Sequence, residues 1–353
     1  MARNRIVVDA MGGDHAPLEI LKGAASAMEE SASIYCLFVG KPDVIQPMIS
    51  ELGVAGDRYE IVAASEAIAM DEKPKDALDS KPDASISVAS RLISSNGGDA
   101  LVSAGSTGAT ILACSREIPR MPGIERGVLA AIFPAMKQER SDPGVSIMLD
   151  VGATLHCSVS QLITFAIMGM HYGKEVLDMQ NPRIGLLNIG EEETKGHSTL
   201  VETHQELKKD KHFNFIGNVE GKDIMRGIAD VIVTEGYTGN VVLKSLEGIA
   251  EMGIQTGKQI WKKNVMSKVG LAMLSPVLKK LKKRLDYSEQ GGAPILGFRK
   301  LVIKAHGRSK AKAIKNAILL ADRSAGNNVV AKIEASMKEY YMHMFDDGSE
   351  KES

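Results

Sequence analysis

The chain is short of cysteine, aromatic residues, net charge and long apolar runs, and most of these shortages remove a class of protein. Only Cys36, Cys114 and Cys157 occur, an odd set with no CxxC spacing. That argues against a disulfide framework or a zinc-finger-type site and fits a reducing cytosol. The 43 Lys plus Arg nearly balance 44 Asp plus Glu, and the resulting formal charge of −1 excludes a uniformly basic wrapper of nucleic acid. Apolar runs such as Leu162–Met170 reach less than half of the roughly 20 residues needed to cross a bilayer. The first residues, Met-Ala-Arg-Asn-Arg, lead straight into a strand-like segment, so no secretory leader is expected and the protein is placed in the cytoplasm. Aromatics make up 4%, which says less than the surplus of glycine, 34 of 353 residues against a usual share of roughly 7%. With 44% hydrophobic and 25% charged residues the chain has the material for a real core, as one large domain or two ordinary ones.

Short β-branched runs alternate with longer helical patterns, and many of the runs end in glycine, which is the pattern of βαβ units and a mainly parallel sheet. Strands are expected at Ile6–Ala10, Ile34–Val39, Tyr59–Val62, Ala100–Ser103, Val128–Phe133, Ser146–Asp150, Arg183–Ile189, Phe213–Gly217, Asp230–Thr234 and Leu301–Ala305. Helices are expected at Pro17–Glu30, Ile86–Ser95, Thr107–Arg116, Leu155–His171, Thr199–Lys209 and Ser309–Ala321. No repeat of 20 to 50 residues is found. The fold class is therefore α/β, a doubly wound, mainly parallel sheet in a single catalytic domain over residues 1–335, with a polar tail over 346–353.

One stretch departs from this pattern. Met252–Leu285 contains no acidic residue and nine basic ones, so it carries +9 and the rest of the chain −10. Its apolar residues keep helical spacing, Trp261, Val265, Val269 and Met273 and then Leu274, Leu278, Leu281 and Leu285, and Pro276 is expected to split it into two helices. Such an excursion reads as an interfacial helix for anionic lipid, a docking face for an acidic protein, or a packing arm.

Ligands of open parallel sheets sit beyond the carboxyl ends of the strands, and the glycines cluster there. Asp9-Ala10-Met11-Gly12-Gly13-Asp14, Ser103-Ala104-Gly105-Ser106-Thr107-Gly108, Asp150-Val151-Gly152-Ala153, Asn188–Gly196 and Thr234–Asn240 each follow an expected strand. None matches GxxxxGK[ST], and no GxGxxG follows the first strand, which disfavours a nucleotide P-loop and a dinucleotide fingerprint. Each loop alone reads as a strand-to-helix turn. Five of them, with Ser, Thr, Asn and Lys attached, point to a small phosphate-bearing ligand.

As a set, these motifs resemble the acyl-carrier-protein-dependent phosphate acyltransferase family of bacterial phospholipid synthesis, the PlsX family, over roughly residues 4–325. Further matching stretches are Leu186–Glu192, Phe215–Gly221, Gly236–Val241, Gly291–Pro294 and His306-Gly307. The chain departs from the family pattern at Ser106 and at Thr154, where the family commonly has Asn, and matches it only loosely over Lys81–Ser85. The resemblance implies a sheet like those of isopropylmalate dehydrogenase and phosphotransacetylase. It also implies transfer of a fatty acyl group from acyl carrier protein to inorganic phosphate, a homodimer, and peripheral attachment to a membrane. A phosphotransacetylase, an NAD-dependent dehydrogenase on a related sheet, and a non-catalytic phosphate- or lipid-sensing scaffold are the competing readings.

Acyl transfer to phosphate makes three demands. Phosphate must be held against the thioester carbonyl, and Gly12, Gly13, Asp14, Ser103, Gly105, Ser106, Thr107 and Gly108 are assigned to it, with Lys195 as the point charge. The developing oxyanion needs a fixed donor, for which Asn240 is chosen, with Lys195 able to share the role. The thiolate leaves without a strong acid. Asp150, Gly239 and His306, at strand ends, complete the expected site. Asp14 and Asp150 read as caps rather than metal ligands, so neither metal nor cofactor is expected. His156 and Cys157 are adjacent on an expected helix and point about 100° apart, which makes them a poor nucleophilic dyad.

Overall fold

Ile6, Val7 and Val8 are all fully buried, as a strand must be when helices cover both faces of its sheet. In a computed structural model, which describes residues 3–139, 142–264, 266–270, 272–275 and 291–349, this run lies in β1 (Asn4–Asp9). The first half continues through α1 (Leu18–Glu30), β2 (Ile34–Gly40), α2 (Pro42–Glu51), β3 (Tyr59–Ala63), α3 (Pro74–Ser80), α4 (Ser85–Ser94), β4 (Ala100–Ser103) and α5 (Thr107–Glu117). The second half holds β5 (Val128–Pro134), β6 (Val145–Leu149), α6 (Val159–Val176), β7 (Arg183–Leu187), α7 (Ser198–Lys209), β8 (Asn214–Val219), β9 (Val231–Val233) and α8 (Gly236–Lys263). The chain closes with β10 (Ala293–Leu296), β11 (Leu301–Lys304), α9 (Ala311–Gly326) and α10 (Val329–Ser349).

Among the described residues eleven strands join one sheet in the order β3-β2-β1-β4-β11-β10-β5-β6-β9-β7-β8. Pairing is parallel from β3 to β11 and again from β6 to β8, while β10 and β5 are joined to their neighbours by antiparallel ladders. The sheet is therefore doubly wound and mainly parallel, but its two parallel blocks run in opposite directions. Ile6 and Val8 face one hydrophobic core and Val7 the other, so alternate residues of one strand serve both layers.

Several elements differ from expectation, each for a local reason. α6 starts at Val159 rather than Leu155, because Ser158 and Gln161 form a reciprocal capping box that fixes the first turn there. β10 went unrecognised because Gly291, Gly292 and Pro294 mark a turn or an edge strand, yet it pairs centrally with β11 and β5. α2 and α3 were not expected. Met252–Lys263 is the second half of α8, and the helical run breaks at Asn264, whose Oδ1 accepts the Ser267 amide at 2.8 Å. Helical turns cover 266–270 and 272–275, while Pro276 and the remainder of the basic stretch lie outside the described residues. α10 passes position 335, burying Met337, and carries the expected tail as helix to Ser349; residues 350–353 lie outside the described residues. Among the described residues no helix is long and apolar enough to cross a membrane.

α6 can lie close on the second block because Gly169 faces the sheet. A Cβ there would stand 2.4 Å from Val231 Cγ1 and 2.8 Å from Leu149 Cδ1. Gly169→Val is expected to lower unfolding free energy by roughly 1–3 kcal/mol, read as a lower urea midpoint at constant slope. An unchanged midpoint would mean that the helix does not pack this closely.

Candidate active site

At the carboxyl end of β6 the Asp150 side chain is wholly buried. It accepts hydrogen bonds from the amides of Leu129 (3.2 Å), Gly152 (3.0 Å), Ala153 (3.0 Å) and Thr154 (2.7 Å), and from the Thr154 hydroxyl (2.9 Å). Burial pushes its carboxyl pKa up, against those donors. Thr154 Oγ1 in turn accepts the Gly236 amide at 3.0 Å, which ties the first turn of α8 to the same carboxylate. The approach requires glycine: a Cβ on Gly236 would lie 2.5 Å from Asp150 Oδ2, and one on Gly239 would lie 1.9 Å from the Asp150 carbonyl oxygen. Asn240, expected in a turn, is instead exposed on the first turns of α8. Its side chain lies beside the backbone of Gly152, with Cγ 3.6 Å from where a Cβ would stand.

Lys195 follows β7 in a loop pinned from behind. Asn188 Nδ2 donates to the Lys195 carbonyl at 2.9 Å and Asn218 Nδ2 to that of Glu192 at 2.8 Å. The buried His204 ring contacts Asn218 Oδ1 at 3.0 Å. The lysine side chain is about half exposed, 3.9 Å from Glu192, an ion pair too open to immobilise it. Its loop reaches α8 through His197, whose Nε2 is 3.6 Å from Glu235 Oε2. Lys195, Asp150, Gly239 and Asn240 thus share one edge of the sheet.

The remaining expected residues stand on the other parallel block. Ala130 pairs with Leu149 and Val128 with Leu296, whereas Ala293 pairs with Lys304. The carboxyl ends of β1, β4 and β11 therefore point to the opposite edge from those of β6, β7 and β9, although the ends lie in nearly one row: Val302 aligns through Ile295 with Leu129, the neighbour of the Ala130 that pairs with Leu149. Gly12, Gly13, Asp14, Ser103, Gly105, Ser106, Thr107, Gly108 and His306 occupy that second edge. Strand direction reverses at β10 and β5, which no local motif announces, and α8 runs beside both groups of loops, its Lys244 and Glu247 charges acting on His306.

Much of the second edge is turned inward. Asp9, 2% exposed, accepts from Ser85 Oγ at 2.6 Å and Ser103 Oγ at 2.7 Å. Burial raises its pKa against these bonds. Gly12 and Gly105 lie against each other, and Gly13 packs on Ala104 and the Gly307 carbonyl, so these glycines serve loop-to-loop contact. Asp14 donates its amide to the Gly307 carbonyl at 2.9 Å. Lys304 is buried, its ammonium donating to the Ala305 carbonyl, and desolvation lowers its pKa to about 8 against the charges of Asp9 and Asp14. His306 is exposed and its imidazole pKa is lowered by desolvation, with the Lys244, Lys304 and Arg308 charges adding to the effect and Glu247 opposing it. α8 joins the two edges, with Val242, Leu243 and Leu246 packed on the core between them.

Sequence reasoning passed over Glu235, Thr154, Asn188 and Asn218 as site residues, although all four stand inside or beside glycine motifs. Among the described residues Glu191, Glu220 and Asp223 are the group close enough to share a cation, and the Lys222 ammonium already contacts two of them.

The architecture is that of the phosphotransacetylases. A phosphotransacetylase from Streptococcus pyogenes superposes with a TM-score of 0.60 at 16% identity, over 92% of this chain and 94% of its own. A branched-chain phosphotransacylase from Enterococcus faecalis gives 0.56 at 14%, over 92% and 99%. At such identities the likeness is one of fold. Residues 4–332 match the profile of the family described as fatty acid synthesis protein, and the chain belongs to that family. The phosphate acyltransferase of Heliobacterium modesticaldum is 47% identical over 331 residues, 94% of this chain and 96% of its own. That of Thermoanaerobacter pseudethanolicus is 41% identical over 334 residues, 95% and 97% of the two chains.

The Lys304 environment predicts a pH dependence. Because the folded pKa is about 8 and the ordinary value 10.5, the unfolded chain binds more protons between those values, so stability rises with pH across that window. Relative to Lys304→Met, the wild type should gain on the order of 3 kcal/mol between pH 8 and 10.5 in urea titrations. A flat difference would mean that the ammonium is not buried.

Proposed function

We propose that this protein transfers a fatty acyl group from acyl carrier protein to inorganic phosphate, giving an acyl phosphate for phospholipid synthesis. The observation that carries the reading is the Asp150 edge. There the start of α8, the Asn240 carboxamide and, through the His197–Glu235 contact, the loop bearing Lys195 stand on one edge, in a chain nearly half identical to a phosphate acyltransferase over almost its whole length.

Phosphate is the nucleophile, and it is drawn in by the Lys195 ammonium and the positive end of the α8 dipole. As it attacks the thioester carbonyl, Asn240 Nδ2 donates to the developing oxyanion, and the pantetheine thiolate then departs. Asp150 and Gly239 hold this constellation without touching substrate. A covalent acyl-cysteine is not needed. Cys157 is buried, its thiol pKa raised by desolvation, and its sulfur shares a hydrogen bond with Thr154 Oγ1 at 3.1 Å, which suits packing rather than attack.

Purified protein with palmitoyl-carrier protein is expected to release free thiol only when phosphate is present. Lys195→Ala and Asn240→Ala should each slow release about 10²-fold while the fold is retained. Phosphate-independent release, or full activity in both variants, would overturn the reading.

The protein is further read as a cytoplasmic homodimer that attaches peripherally to anionic membrane through Met252–Leu285. Ile260, Trp261, Met266, Val269 and Met273 are exposed there, and each nearby Lys is worth about 1 kcal/mol at an anionic surface. The combined Val269→Glu, Met273→Glu variant is expected to lose co-sedimentation with phosphatidylglycerol liposomes. An unaltered pellet fraction would favour docking of acidic carrier protein or a packing arm.

A further inference from the structure

We infer that Glu235 is a positioning residue for this reaction, a carboxylate that clamps the Lys195 loop to the helix bearing Asn240; the inference rests on the acyl-transfer reading above. Glu235 is the N-cap residue of α8, yet its side chain does not cap its own helix. Oε1 accepts the amide of Cys157 at 3.1 Å, immediately before Ser158, the N-cap of α6. Oε2 lies 3.6 Å from Nε2 of His197, the N-cap residue of α7, which also lacks a side-chain cap of its own.

One carboxylate, 14% exposed, thus begins α8 and touches the residue before the α6 N-cap and the side chain of the α7 N-cap. The Cys157 amide donates to it, and a protonated His197 imidazole adds an opposite charge on its other oxygen. Lys195 stands two residues before His197, and Asn240 stands five after Glu235 on the helix that Glu235 begins. One side chain therefore sets the relation between the two groups that the reaction needs. On the far side the loop is held by Asn188 and Asn218, with the Glu193–Lys208 and Glu191–Lys222 pairs on its exposed surface.

A half-exposed ion pair adds little to global stability, whereas a small displacement of an oriented group costs much in rate. The clamp should therefore act on phosphate binding while leaving the melting temperature nearly unchanged. Glu235→Gln preserves shape and an acceptor for Cys157, and His197→Ala alters an exposed side chain, so both variants should fold.

In steady-state thiol release each variant is expected to raise KM for phosphate about ten-fold while leaving KM for acyl-carrier protein unchanged. The double variant should be no worse than the poorer single one. Independent of activity, deuterium uptake over residues 190–196 should quicken in both single variants. Unchanged uptake overturns the clamp whatever the reaction proves to be. An unchanged phosphate KM, multiplicative effects in the double variant, or a large common fall in melting temperature overturns the positioning role. Absent thiol release by the wild type, with quickened uptake in the variants, sinks the acyl-transfer reading and leaves the clamp as a structural finding only.

Discussion

The Asp150 carboxylate is the constraint to which the rest of the site is registered. An anion sealed from water must be paid for with donors, and this one collects four backbone amides and a hydroxyl from Leu129 and from Gly152–Thr154. Those bonds shape the loop after β6, join it to the start of β5, and through Thr154 anchor the amide that begins α8. The glycines at 236 and 239 follow from that approach rather than from any need for a turn. A longer side chain at either position would drive the helix off the loop and carry Asn240 with it.

α8 is consequently an unusual element. Only its first turn contributes buried residues, Gly236 and Gly239, and from there it crosses the sheet face towards Lys304 and His306 before leaving the body of the protein. Its amino end is governed by hydrogen bonding and close packing. Its carboxyl end is governed by exposed apolar and basic side chains at helical spacing. Two quite different physical regimes share one continuous helix, which joins the Asp150 loop at one end to an exposed apolar and basic face at the other.

Much of the fold was legible in the chain because parallel strands buried on both faces are written as compact β-branched runs. β4, Ala100–Ser103, is found as expected, and most other expected strands agree within one or two residues. β10 was hidden by Gly291, Gly292 and Pro294, residues that usually end strands. The partition of the glycine loops between two edges was illegible for a deeper reason. It depends on which strands pair and in which sense, a property of contacts between distant segments that no motif encodes. Lys195 and Asn240 could be singled out by residue type and by resemblance. Glu235 and Thr154 could not, since a carboxylate or hydroxyl beside a glycine shows its value only once the distant segments it touches are seen, Cys157 and His197 for the one and Asp150 and Gly236 for the other.

The place of β11 has a consequence for how the molecule is made. It pairs on one side with β4, aligning positions 301 and 100, and on the other with β10, so it is the strand that joins the two parallel blocks. Until that late segment has been synthesised, β4 presents an open row of backbone donors and acceptors, a template for mispairing with another nascent chain. Loop closure over so long a separation is also entropically slow. The N-terminal block is therefore committed early in sequence but completed late in time, and the cell must protect one bare sheet edge in the interval.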